Sequence, residues 1–216
     1  YIISMFKKII INSQKKLIAY FQDESLRMKK NSVVSFQNNL KLGSNILFEG
    51  KINLGKNNTI GPNCLLNNIN IGNDNVIKMS SLMENSKIND QNIIGPFAYI
   101  RDKTEIKNKC IIGAYVEVTR SFIKNRCYAS HRAFIGDATI NEDTIIGAGT
   151  VFCNYNFTTN SKSISKIGKN CKIGSNVSII APIKIKANTI VPAHTKYKKI
   201  LDVYFIKLRS LIVLDH

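Results

Sequence analysis

Aliphatic residues recur along this sequence at every sixth position, usually followed by Gly or a polar residue. The series is opened by Phe36 and runs Leu42, Phe48, Leu54, Ile60 and Leu66, then Ile71, Ile77 and Met83. It continues as Ile88, Ile94, Ile100, Ile106, Ile112 and Val118, then Ile123, Ala129, Ile135, Ile140, Ile146 and Phe152. After a break it resumes at Ile167, Ile173, Ile179, Ile185 and Val191. Four places after these markers sits a second, small or β-branched residue: Cys64, Ala98, Cys110, Val116, Cys127, Ala133, Thr139, Thr144, Thr150, Cys171, Val177, Thr189 and Thr195 are examples. Neither a helical period nor the strict alternation of a half-buried strand gives this spacing. A triangular coil does. Each hexad is a short strand and a corner, three hexads close a turn, and marker and partner both point inward.

The pattern therefore predicts an all-β chain, a parallel β-helix over 36–196 of about nine coils with rungs about 4.8 Å apart. Stepping by one coil stacks Asn58, Asn75, Asn92, Cys110, Cys127 and Thr144 in a single column. Side-chain amides on successive rungs of such a column are expected to bond to one another. The flanks read differently. Residues 1–35 carry Phe6, Ile9, Ile10, Leu17, Ile18 and Phe21 at roughly helical spacing and predict an N-terminal helical arm. Residues 197–216 leave the repeat and form a C-terminal tail. One interruption, 153–166, is rich in Asn, Thr and Ser and predicts a loop bulging from a corner. Loops on rigid scaffolds commonly carry function.

Composition alters this picture little except in charge. Lys and Arg number 31 against 14 acidic residues, a formal net charge of +17. Two explanations remain open: drift in a sequence rich in Ile, Asn and Lys throughout, or an anionic ligand, with phosphate-bearing small molecules ahead of nucleic acid. No nucleic-acid-binding motif is visible. No apolar run is long enough to span a bilayer, and the opening segment does not read as a cleaved leader. Four of the five cysteines fall in the small inward slot, and no spacing suggests a disulfide framework or a zinc site, so a reduced, cytoplasmic setting is expected. Three scattered histidines do not supply a metal centre built on adjacent coils, and no metal is expected.

The runs IGPFAYIR (94–101), IGAYVEV (112–118), IGDATI (135–140), IGAGTVFCNYN (146–156) and IGSNVSIIAP (173–182) carry more than the bare repeat. From 94 to 193 the chain resembles the acetyltransferase domain of the bifunctional N-acetylglucosamine-1-phosphate uridyltransferase/glucosamine-1-phosphate acetyltransferase family. The resemblance implies a left-handed coil, a hand that the spacing alone does not give. It also implies a homotrimer with sites between neighbouring prisms, and acetyl transfer from acetyl-CoA to the amine of glucosamine 1-phosphate, an amino-sugar phosphate. No Gly-rich sugar-nucleotide loop lies near the start, so the uridyltransferase half is not expected in this chain.

By the same resemblance His131 falls where the family has its catalytic base, and Glu117 where it has the acid orienting that base. An imidazole titrating near neutrality and held by a carboxylate suits the task. Arg101 matches a sugar-phosphate ligand, for which a guanidinium is well shaped. Asn154 matches both substrate and co-substrate contacts, Tyr155 a co-substrate contact, and Lys162 a loop lysine of the substrate site. Ala148, Ser175 and Ala193 match positions lining the CoA groove.

Three positions depart from the family. Thr119 stands for a phosphate-binding Lys, Phe134 for a Tyr and Ile145 for an Asn. Arg120 adjoins Thr119, but neighbours on a strand face opposite sides, which argues against its replacing the lysine. Transfer to another amino sugar or nucleotide sugar, and a catalytically silent trimeric scaffold, stand as alternatives.

Overall fold

The computed structural model describes residues 9–11 and 26–198. Short strands wind into a parallel solenoid of about 10 turns, and no helix occurs among the described residues. Three faces repeat in order. The first includes Ile93–Ile94, Ile111–Ala114, Tyr128–His131 and Ile145–Ile146. The second includes Tyr99–Arg101, Glu117–Thr119, Phe134–Gly136 and Val151–Cys153, and the third Glu105–Ile106, Phe122–Ile123, Ala138–Ile140 and Ser165–Ile167. The first face is a 10-stranded sheet. The second and third are joined in a 16-stranded sheet, because Ile46–Leu54, Leu65–Ile71 and Leu82–Ile88 run continuously around the corner between them.

Register explains why the inward markers specify the fold. Ile94 pairs with Ile77 below and Ile112 above, and Ile100 pairs with Met83 and Val118. Each marker thus rests on the marker of the next coil, and Ile94, Ile100, Ile106 and Ile112 are fully buried. The partner slot is filled by Cys110, Val116, Cys127 and Thr144, all buried. Thr139 is the exception. At that five-residue step the inward small residue is Ala138, 3% exposed, and Thr139 faces outward.

The corners need left-handed backbone, and Asn and Asp tolerate it best among residues with a side chain. Asn57, Asn63, Asp74 and Asn176 sit there with φ of 58°, 59°, 58° and 53°. Asparagine abundance, read from composition as drift, therefore has a structural use. The predicted inner Asn column exists but bonds differently from expectation. The Asn58 side-chain Oδ1 accepts the Asn75 backbone N–H at 2.9 Å, Asn75 Oδ1 accepts the Asn92 N–H at 2.8 Å, and Asn92 Oδ1 the Cys110 N–H at 2.8 Å. Amide-to-amide ladders run instead along exposed corners, as from Asn39 to Asn57 (3.0 Å) and from Asn45 to Asn63 (2.8 Å).

The N-terminal boundary differs from expectation. Leu26–Met28 already pairs with the strand beginning at Ile46, and Val33–Phe36 pairs with its second half, so the solenoid starts before Phe36. Ile9–Ile11, expected as helix, is a strand antiparallel to Leu40–Leu42. The rest of the expected helical arm, and the tail beyond 198, lie outside the described residues. The interruption is a small hairpin at the corner between second and third faces, Tyr155–Asn156 against Ser161–Lys162.

Candidate functional site

The residues singled out from sequence gather along two corners of the prism. His131 ends the first-face strand Tyr128–His131, pairs with Ala114 and is exposed. The chain then turns into the second face, and the next coils continue the same corner. Gly149 N–H bonds to Arg132 carbonyl (3.1 Å), Asn176 N–H to Ala148 carbonyl (2.8 Å) and His194 N–H to Ser175 carbonyl (2.8 Å). Ala148, Ser175 and Ala193 therefore stack above His131 in one column. A Cβ on Gly147 would lie 2.4 Å from Gly174, and one on Gly174 would lie 2.4 Å from the Ala193 nitrogen. Only glycine allows coils to approach this closely here.

Arg101, Asn154, Tyr155 and Lys162 occupy the opposite edge of the second face, at its corner with the third. A three-residue strand separates the two corners, about 10 Å at the usual rise. Glu117 opens its strand between them. Its Oε1 accepts from Arg101 Nε (3.0 Å) and Nη2 (2.7 Å). The family resemblance has this carboxylate orient His131; among the described residues no hydrogen bond joins the two. The reason is geometric. Arg101 is paired with Thr119 and reaches back diagonally to Glu117 along the same face, whereas His131 lies before the corner.

The arginine network extends further. Arg101 also pairs with Asp102, and Asp102 accepts from Thr119 Oγ1 (3.1 Å) and Arg120 Nη1 (3.3 Å). Arg120 grips Asp137 through Nε (2.7 Å) and Nη2 (3.0 Å), and Asp137 also accepts from the Asn154 amide. Burial opposes the charge of Arg101, yet its bonds to Glu117 and Asp102 raise its pKa above the ordinary value. The grip of Asp137, against the cost of burial, does the same for Arg120. Burial also works against the Asp137 carboxylate, but hydrogen bonds from Arg120 and Asn154 and the nearby charge of Lys162 hold its pKa below the usual range.

This network corrects the reading of Arg120. Its φ is 47°, so it turns the corner rather than continuing the strand, and Nη1 donates to Thr119 Oγ1 at 2.9 Å. Strand alternation does not apply there. Thr119 itself is fully buried beneath Arg120 and Asp102. Phe134 lies on the second face between Glu117 and Val151, and Ile145 is 43% exposed on the first face beside Tyr128. Asp102 and Asp137 escape the sequence reading. A signal for Asp137 exists, because the one-coil step of 17 that stacks Asn58, Asn75 and Asn92 also stacks Arg120, Asp137 and Asn154. A cavity of about 220 Å³ opens beside the network, lined by Lys103, Glu105, Arg120, Asp137 and Ile164 among others. Among the described residues no group of three or more His, Cys, Asp or Glu side chains is arranged to hold a metal.

The fold and its repeat define a hexapeptide-repeat protein, a left-handed parallel β-helix in which residues 85–120 match the bacterial transferase hexapeptide family. Its curated relatives are bifunctional proteins named GlmU, and the shared stretch is their C-terminal acetyltransferase part. The chain is 38% identical over 167 residues to GlmU of Ruthia magnifica subsp. Calyptogena magnifica, covering 77% of this chain and 36% of that protein. It is 44% identical over 161 residues to GlmU of Buchnera aphidicola subsp. Baizongia pistaciae, covering 74% and 36%. The chain thus spans about a third of the length of these relatives. Among solved structures it is similar to a Francisella novicida UDP-N-acetylglucosamine acyltransferase, at 17% identity and a TM-score of 0.43, covering 72% of this chain and 59% of that one.

Proposed function

We propose that this chain transfers an acetyl group from acetyl-CoA to the amine of glucosamine 1-phosphate, with His131 as general base. The observation that carries the reading is the corner column of His131, Ala148, Ser175 and Ala193, in a chain 44% identical to a GlmU over the shared stretch. A thioester threaded along that glycine-narrowed corner would end at the imidazole. The amine nitrogen attacks the thioester carbonyl, the new C–N bond forms as the C–S bond breaks, and His131 takes the amine proton and returns it to the departing thiolate. Arg101 and Lys162 offer cations to the sugar phosphate, and Asn154 and Tyr155 offer contacts to both partners.

The separation of the two corners supports a homotrimer whose sites each combine one corner of one copy with the other corner of the next. An apolar column supports it further. Val76, Ile93, Ile111, Tyr128 and Ile145 are in register on successive rungs of the first face, all at outward positions. Such a run is a candidate surface for a second copy. Light scattering that returned a monomer at micromolar concentration would remove the shared site. Five free cysteines, four of them buried, support a reducing, cytoplasmic setting.

A second reading has an observation of its own. Thr119 is locked inside the arginine network, and Phe134 and Ile145 add no polar contact, which favours an acceptor other than glucosamine 1-phosphate. An acceptor screen with acetyl-CoA separates the two. Preference for glucosamine 1-phosphate supports the first; preference for another amino sugar or a nucleotide sugar supports the second. No transfer and no acetyl-CoA binding would leave a scaffold.

A further inference from the structure

We infer that Asp137 is the positioning residue for the corner hairpin, holding its entry through the side chain and its exit through the backbone. The inference rests on the proposed reading only in so far as the hairpin serves acyl transfer. The geometry of the clasp is independent of it. At the entry, the Asn154 amide donates to an Asp137 carboxylate oxygen. At the exit, Ser165 N–H donates to the Asp137 carbonyl at 3.0 Å, and Ala138 pairs with Ser165. One residue therefore takes both ends of the inserted segment.

Among the described residues the hairpin has little else to hold it. Its base is closed by Ser163 N–H to Asn154 carbonyl at 2.8 Å, and its strands pair only with each other. Beyond the base its side chains are exposed, Phe157 at 85%, and the Tyr155–Phe157 edge contact (5.0 Å) lies within the hairpin itself. A segment that packs so little against the described prism takes its direction from its anchors. Asp137 is in turn fixed by the two bonds from Arg120, and only 8% of it is exposed. A carboxylate bonded on both oxygens in a buried setting has one orientation available, and it passes that orientation to Asn154.

Because the chain has no Trp, Phe157→Trp places a single indole fluorophore at the hairpin tip. In that background Asp137→Ala should lower amide protection across 155–162 roughly 10- to 100-fold, the range for losing a hydrogen bond to a charged group. Protection in the neighbouring strands Ile111–Ala114 and Phe122–Ile123 should stay within a few-fold, and the anisotropy of the introduced indole should fall. In acyl transfer KM for acetyl-CoA should rise by a similar factor, more than kcat falls. Asp137→Asn, which keeps an acceptor for Asn154 but loses the ion pair, should lie between.

Unchanged protection at 155–162 in Asp137→Ala overturns the inference whatever the activity. A loosened hairpin with unaltered KM and kcat keeps the clasp and overturns the role in transfer. A loosened hairpin in a chain whose unsubstituted form transfers no acetyl group sinks the functional reading and leaves the clasp standing. Should Asp137→Ala fail to fold, Asn154→Asp sets two carboxylates against each other at the entry alone. Protection that survived that change at neutral pH would overturn the clasp equally.

Discussion

Thr119→Lys gives the most direct test of whether the arginine network belongs to the proposed acceptor site. Thr119 is fully buried, bonded to Asp102 and to Arg120. A lysine there brings a third cation beside Arg101 and Arg120, and the three carboxylates Asp102, Glu117 and Asp137 balance the three cations. The cost is then the loss of the two Thr119 hydrogen bonds, about 1–2 kcal/mol at about 1 kcal/mol each. The free protein should lose that much stability, a fall in Tm of about 2–8 °C for a chain of this size. A phosphate-bearing acceptor offers the new ammonium a further anionic partner. The variant should therefore recover its Tm on adding glucosamine 1-phosphate, while the unsubstituted protein gains less. The kcat/KM for that acceptor should rise roughly 10- to 100-fold, mainly through KM. Thermal shift with and without acceptor, followed by initial rates, reads both. A Tm unmoved in the absence of ligand would refute the assigned role of the Thr119 hydrogen bonds. A lowered Tm that glucosamine 1-phosphate fails to restore would show that Thr119 does not face the acceptor.

Other outcomes can be read singly. His131→Ala should lower turnover by about two to four orders of magnitude and leave the acetyl-CoA Kd nearly unchanged; more than half of normal turnover would remove the assignment. Ile112→Ala, at a fully buried marker, should cost about 2–5 kcal/mol, whereas Ile190→Ala, 70% exposed, should cost under about 0.5 kcal/mol in denaturant titrations. Burial pushes the Cys64 thiol up to about 11 and raises that of Cys153 as well. A thiol reagent near neutral pH should therefore label the native protein at Cys153 first, and rapid labelling of Cys64 would contradict the packing. The depressed Asp137 pKa makes its contribution complete above the unfolded carboxylate value of about 4, and lost as pH falls through the lower folded value. Indole anisotropy in the Phe157→Trp protein should accordingly hold steady down to about pH 4 and fall only below it.

The coil is legible because its core repeats one residue per rung, so the period of Ile94, Ile100, Ile106 and Ile112 is the fold itself. Where the step shortens to five, the fixed offset fails, and it assigns Thr139 the slot that Ala138 fills. Leu26–Met28 escapes as a coil because no hexad marker precedes Phe36 at regular spacing. Strand alternation, which sets Arg120 apart from Thr119, does not apply at its left-handed corner. The corner column of His131 and Ala148 is reached through motifs, but the Asp102 and Asp137 links are not. Outward side chains pair across coils, and their partners lie 17 or 18 residues away with no local signature.

The antiparallel pairing of Ile9–Ile11 with Leu40–Leu42 also has a consequence for how the stack ends. A parallel coil exposes at each end a rung of unpaired backbone groups, a template on which another copy could continue. At the amino end a reversed strand covers the first face, and a reversed strand does not pass on the parallel register to a newcomer. The last described coil is strongly basic. Between Asp143 and Asp202 there is no acidic residue, and the last described coil presents Lys184, Lys186, Lys196 and Lys198. The reversed strand at the amino end thus sets a boundary that the repeat by itself does not carry, closing one side of a fold whose rungs could otherwise be continued.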